Sequence, residues 1–305
     1  MSSFILLFGC LGLGLLLQRV KEFPKNSAQV LNQFIIYISM PALALYFIPE
    51  VKLNSTVLLP VALAWICFGA AALFFWGLGK AFGWSRKLVG CLILTGGLGN
   101  TSFVGLPVIE ALFGPDSLET VILIDQPGTF VVLSTAGIAL AASFSRGSAS
   151  ASVIARKILL FPPFIAFLLA LGLNVLNLHF PADLKEVFQR LGSTVSPLAL
   201  VSVGLQLRPE WRSKHWGFLA LGLTFQLILA PAIILGLYYG VFGLRGELLQ
   251  ICVLEAAMAP MITASIIAAS HGLKPRLASM MVGFGIPLSF ITLAFWYWVL
   301  NFVIG

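Results

Sequence analysis

Two stretches of this chain place polar and helix-breaking residues inside otherwise apolar sequence. The first reads Leu94-Thr95-Gly96-Gly97-Leu98-Gly99-Asn100-Thr101-Ser102-Phe103-Val104-Gly105-Leu106-Pro107. So many glycines make poor continuous helix, and Asn100, Thr101 or Ser102 suits the cap of a helix that stops and restarts. The second reads Glu255-Ala256-Ala257-Met258-Ala259-Pro260-Met261-Ile262-Thr263-Ala264-Ser265. Pro260 fits the first turn of a restarted helix, where its missing N–H would have no partner anyway. A half-helix N-terminus presents free N–H groups and the positive end of the helix dipole, which attract an anion. The C-terminal end of the preceding half offers carbonyls to a cation. No Lys or Arg lies near either break, so a buried anion would depend on helix ends and neighbouring uncharged residues. The candidate substrate contacts are Asn100, Thr101 and Ser102 at the first break and Met258, Ala259, Pro260 and Thr263 at the second. Gly99, Gly105, Pro107 and Pro260 are the candidates for shaping the crossing. Glycine-rich packing and a simple proline kink explain either motif alone; their occurrence at matching places favours a binding site.

Two acids accompany these breaks. Asp125 precedes Gln126-Pro127, and Glu255 stands immediately before the second break. Acids at membrane depth are expensive and usually functional. Either is a candidate for a coupling proton or Na⁺, against the alternative of a wet vestibule. Glu110 reads as a solvated helix end. Cys10, Cys67, Cys91 and Cys252 all sit in apolar runs without a CxxC pair, so they read as small buried residues. His179, His215 and His271 fall in connections. No metal centre, nucleophile–base pair or nucleotide-binding loop is legible, so the reading has no catalytic residue and no cofactor beyond a coupling ion.

The elements that must position these residues are membrane helices. Of 305 residues, 59% are hydrophobic and 10% charged, with a mean hydropathy of +1.02. A soluble domain carries about 25% charged residues, so soluble enzymes and nucleic-acid binders are excluded as leading readings. Apolar runs of about 20 residues mark ten helical spans, at roughly 4–20, 29–48, 56–79, 88–113, 118–143, 156–177, 187–207, 215–242, 247–270 and 276–303. Fourteen of the eighteen Lys and Arg fall in the loops after spans 1, 3, 5, 7 and 9; Lys52, Lys185, Arg190 and Arg245 fall on the other side. The excess places the odd-numbered loops in the cytoplasm and both termini outside. The net charge of +7 then reports orientation, and no basic–aromatic cluster supports nucleic-acid binding. Charge follows the first apolar run instead of preceding it, so that run reads as a retained span and not a signal peptide. Trp296 and Trp298 suit an interfacial belt.

The two halves correspond. Pro41 and Pro197, Gly114 and Gly272, and Pro127 and Pro287 stand 156, 158 and 160 residues apart. Five spans per copy is odd, so the second copy enters the membrane inverted, a pattern found in secondary transporters. The expected organisation is a first five-helix repeat over 1–145, a Ser/Gly/Ala-rich cytoplasmic linker over 146–155 and a second, inverted repeat over 156–305. In this arrangement broken helices 4 and 9 meet near mid-membrane.

The string Gly99-Asn100-Thr101-Ser102-Phe103-Val104-Gly105-Leu106-Pro107 with Ala111-Leu112-Phe113-Gly114, and the stretch Glu255–Gly272 with Leu277-Ala278-Ser279, resemble the auxin efflux carrier family in its compact bacterial form. The resemblance covers the whole chain. It implies an all-α fold of the sodium/proton-antiporter and bile-acid-symporter kind, with a scaffold of spans 1, 2, 6 and 7. It further implies a mobile transport unit of spans 3–5 and 8–10, elevator-like alternating access and a homodimer through the scaffold. The implied substrate is a small organic anion, such as an auxin-like acid or another carboxylate, carried across the inner membrane with Asn100 facing its carboxylate. Ala259 stands where members often have a second proline, which predicts a shallower second break. The alternatives are a sodium-coupled bile-acid type of symporter, a channel, and a membrane sensor that binds without transporting.

Overall fold

A computed structural model of the chain describes residues 2–52, 55–145, 159–207 and 215–304. The linker expected at 146–155 lies outside the described residues, as do Arg146, Arg156, Lys157, Arg208, Arg212 and Lys214. All regular elements among the described residues are helical, as an all-α membrane protein requires. In chain order they are α1 (Ser2–Leu17), α2 (Ser27–Glu50), α3 (Leu58–Ala81), α4 (Arg86–Gly97), α5 (Thr101–Phe113), α6 (Pro115–Phe144) and α7 (Pro162–Val175). Then follow α8 (Ala182–Gly192), α9 (Val195–Gln206), α10 (Trp216–Val241), α11 (Gly246–Ala256), α12 (Ile262–Ser270) and α13 (Pro275–Ile304). Among the described residues α2, α3, α6, α10 and α13 are each long and apolar enough to cross a bilayer.

Prolines shape these helices in a repeated way. A wide π turn ends just before Pro41 (Ile35–Ser39), before Pro107 (Thr101–Gly105) and before Pro231 (Phe225–Leu229). In α6 the turn Asp125–Phe130 contains Pro127. Proline lacks an N–H, and its ring clashes with the carbonyl four residues earlier. A widened turn moves that carbonyl aside, so the helix continues without breaking.

Two sets of contacts organise the bundle. In the first, α1 lies directly on α9. A Cβ on Gly14 would sit 2.3 Å from the Val201 carbonyl oxygen, and one on Gly204 would sit 2.4 Å from that of Leu11. Only glycine permits this approach. Ser39 on α2 and Thr194 before α9 share a hydrogen bond of 2.7 Å. The Asn174 amide nitrogen of α7 lies 2.8, 3.0 and 2.8 Å from the carbonyl oxygens of Ile48, Pro49 and Val51 and shares its two hydrogens among them. One side chain thus satisfies the C-terminal carbonyls that α2 leaves open. In the second set, Phe74 and Phe75 of α3 each pack 5.1 Å from Phe225 of α10. Tyr238 donates its hydroxyl to the Leu59 carbonyl at 2.6 Å. Trp296 donates to the Leu227 carbonyl at 2.9 Å and is buried, so it anchors α13 to α10. Trp298 is exposed.

Candidate functional site

The chain is broken at both expected places. Between α4 and α5, Leu98–Asn100 leaves helical geometry; between α11 and α12, Ala257–Met261 does so. The two extended pieces run antiparallel with Gly99 opposite Pro260. The Asn100 N–H donates to the Ala259 carbonyl at 2.8 Å, and the Met261 N–H donates to the Leu98 carbonyl at 2.9 Å. Gly99 and Pro260 therefore occupy the pair of positions that exchanges no hydrogen bond. The missing N–H of Pro260 costs nothing there. This corrects the expectation that Pro260 opens the restarted helix: α12 begins at Ile262, after Met261. Ala259 serves the bridge through its carbonyl.

Asn100 caps α5 as its residue type suggests. Its Oδ1 accepts the Phe103 N–H at 3.1 Å. Its Nδ2 is buried without a hydrogen-bond partner. Thr101 donates to Asp125 Oδ1 at 2.6 Å, Ser102 donates to the same oxygen, and Gln126 donates to Oδ2 at 2.7 Å. Asp125 thus lies against the first turn of α5. Glu255 approaches that turn from α11. A Cβ on Gly105 would stand 2.5 Å from either Glu255 carboxylate oxygen, so only glycine leaves room for it. Glu255 is fully buried, and neither of its oxygens has a donor.

Asn100, Thr101, Ser102, Met258, Ala259 and Pro260 are all buried at the crossing, together with Gly105 and Pro107, and Gly99 is half-buried. Thr263, the second residue of α12, is exposed and is not part of the buried cluster. Glu110 differs from its reading as a solvated end: it accepts a hydrogen bond from Ser196, beside Pro197. Gln226 was missed. Its Nε2 donates to the Met258 carbonyl at 3.1 Å, which holds the second break in place, while its Oε1 is buried and unpartnered. The usable signal was a lone amide in the apolar run Leu223-Thr224-Phe225-Gln226-Leu227. Among the described residues no group of three or more His, Cys, Asp or Glu gathers to hold a metal ion.

The model of the membrane transport protein family, the auxin efflux carriers, matches residues 1–297. The chain belongs to this family. It is 27% identical over 286 residues to an uncharacterized transporter of Methanocaldococcus jannaschii, covering 90% of this chain and 91% of the relative. An uncharacterized transporter of Methanothermobacter thermautotrophicus is 27% identical over 301 residues, covering 94% of each. A probable auxin efflux carrier component 5a of Oryza sativa subsp. japonica is 28% identical over 152 residues, covering 49% of this chain and 42% of the relative. This auxin efflux carrier family member is accordingly a membrane transporter and not an enzyme. The first break, Gly99–Pro107, and the second, Glu255–Ser265, both lie within the family match.

Proposed function

We propose that this transporter moves a small organic anion, such as a carboxylate, and that the anion binds where the two breaks cross. The observation that carries this reading is the unpartnered Nδ2 of Asn100 at the start of α5. A buried donor without an acceptor is costly, and a carboxylate would supply the acceptor where the helix dipole also favours it. Thr101, Ser102, Met258, Ala259 and Pro260 border the same place, and Thr263 would join through a movement of α12. Asp125 and Glu255 are the coupling candidates.

Ten spans in two inverted five-helix repeats, 1–145 and 156–305 joined by a cytoplasmic linker at 146–155, give this site its two-sided construction. The antiparallel pairing of Gly99 with Pro260 supports the inverted relation. The contacts among α1, α2, α7 and α9 support a scaffold of spans 1, 2, 6 and 7, against which spans 3–5 and 8–10 slide as an elevator. The protein would sit in the inner membrane with both termini outside, as a homodimer through the scaffold. The test is a thermal-shift screen of carboxylates on purified protein, followed by uptake of any binder into proteoliposomes. A ligand that binds the native state raises its apparent stability. Saturable, carboxylate-specific flux is expected; single-channel currents, or binding without flux, would overturn the carrier reading.

A further inference from the structure

Beside the crossing lies a cavity no larger than one ion or water, bordered by Thr101, Thr129, Gln226 and Glu255 and by the backbone at Gly97–Gly99. Asn100 does not border it. An organic anion does not fit there.

The two hydroxyls around this cavity have spent their hydrogens elsewhere, and the Gln226 amide has committed one of its two. Thr101 donates to Asp125 at 2.6 Å. Thr129 donates to the Ile124 carbonyl at 3.3 Å. The Gln226 amide donates to the Met258 carbonyl at 3.1 Å. Three acceptors are left over: Gln226 Oε1 and both Glu255 oxygens are buried without a partner. The two hydroxyl oxygens also retain accepting capacity. A water brings only two hydrogens to this excess of acceptors, and a proton on Glu255 brings one. A cation satisfies several oxygens at once.

We propose that this cavity is a Na⁺ site, with Glu255 and Gln226 Oε1 as its principal ligands and the Thr101 and Thr129 hydroxyls completing it. One carboxylate neutralises one monovalent cation, so a bound Na⁺ cancels the charge of Glu255. The cavity is at the lower limit of what a water fills, and K⁺ is about a water's size, so the smaller Na⁺ fits better. The titratable groups nearest Glu255 are Asp125, already supplied with three donors, and the thiols of Cys67 and Cys252; no Lys, Arg or His borders the cavity. The coupling role of this site rests on the crossing being the transport site; the ion binding does not.

The test is the melting temperature of purified protein in NaCl, KCl and choline chloride at matched ionic strength and at two pH values. Stabilisation by Na⁺ over K⁺ and choline is expected at both pH values, saturating with concentration. Glu255→Gln should weaken the apparent Na⁺ affinity at least roughly tenfold. Thr129→Val, which keeps the side chain's shape, should weaken it several-fold and covers the case in which Glu255→Gln does not fold. Glu247→Gln, an acid at the far end of α11, should leave the response unchanged. Equal shifts with Na⁺, K⁺ and choline, an unaltered Na⁺ response in both cavity variants, or stabilisation by acid alone would overturn the proposal. A carboxylate-dependent shift measured in parallel separates the readings: its absence with the Na⁺ response intact would sink the anion site and leave the cation site standing.

Discussion

Gly99 and Pro260 face each other across a bridge whose two hydrogen bonds belong to their neighbours, Asn100 with Ala259 and Met261 with Leu98. The crossing is therefore fixed by backbone atoms and needs no side-chain clasp. Pro260 contributes rigidity and shape. Its ring also meets α13, because a Cβ on Gly285 would stand 2.4 Å from Pro260 Cδ and 2.9 Å from Cγ.

That contact gives a double-mutant prediction. Gly285→Ala should destabilise by about 1–3 kcal/mol through overpacking. Pro260→Ala removes the atoms that the new methyl strikes and sacrifices no hydrogen bond. The double variant should accordingly melt well above the level additivity gives. Additive melting temperatures would show that the crossing adjusts elsewhere.

Asn100→Ala removes both the cap on Phe103 N–H and the free amide. Loss of the cap costs about 1 kcal/mol, so the variant should fold and elute as wild type on size exclusion. Carboxylate transport in liposomes should be abolished. Transport at the wild-type rate would remove Asn100 from the site.

Asp125 and Glu255 differ in how they are supplied with donors, and their variants should differ accordingly. Asp125→Asn keeps an oxygen for the Thr101 and Ser102 hydroxyls, and Gln126 can turn its unpartnered Oε1 toward the new amide. It should melt near wild type and keep its Na⁺ response. Asp125→Ala strands three donors and should lose about 1–3 kcal/mol. A Na⁺ response lost in Asp125→Asn and kept in Glu255→Gln would reverse this assignment.

The sequence made the first break and its cap legible because the signals there are local: three glycines in four residues, then Asn100 within reach of Phe103 N–H. What it concealed depends on partners far along the chain. Pro260 looked like a helix opener because its bridging partner, Gly99, lies on the other half of the molecule. Glu110 looked solvated because Ser196, 86 residues on, gives no local sign of meeting it. Asn174, which closes the end of α2, and Gln226, which holds the second break, each stand alone in apolar sequence. Their isolation was visible, but not what they hold.

Gly105 connects the two halves of the site most directly, since its missing side chain is the space that the Glu255 carboxylate occupies. Gly105→Ala would bring a methyl to 2.5 Å from both oxygens. The chain can respond by swinging Glu255, the flexible partner, away from α5, and the helix itself gains from alanine. Folding should therefore survive with a modest change in melting temperature. The Na⁺ response should fall as it does in Glu255→Gln, because the carboxylate is displaced from the position in which the proposed site uses it. Combining the two substitutions should add little further loss, since both act on the same carboxylate. Thermal-shift titrations of the two single variants and the double variant measure this. A full Na⁺ response in Gly105→Ala would mean that the carboxylate binds its ion from a position other than the one it holds against α5.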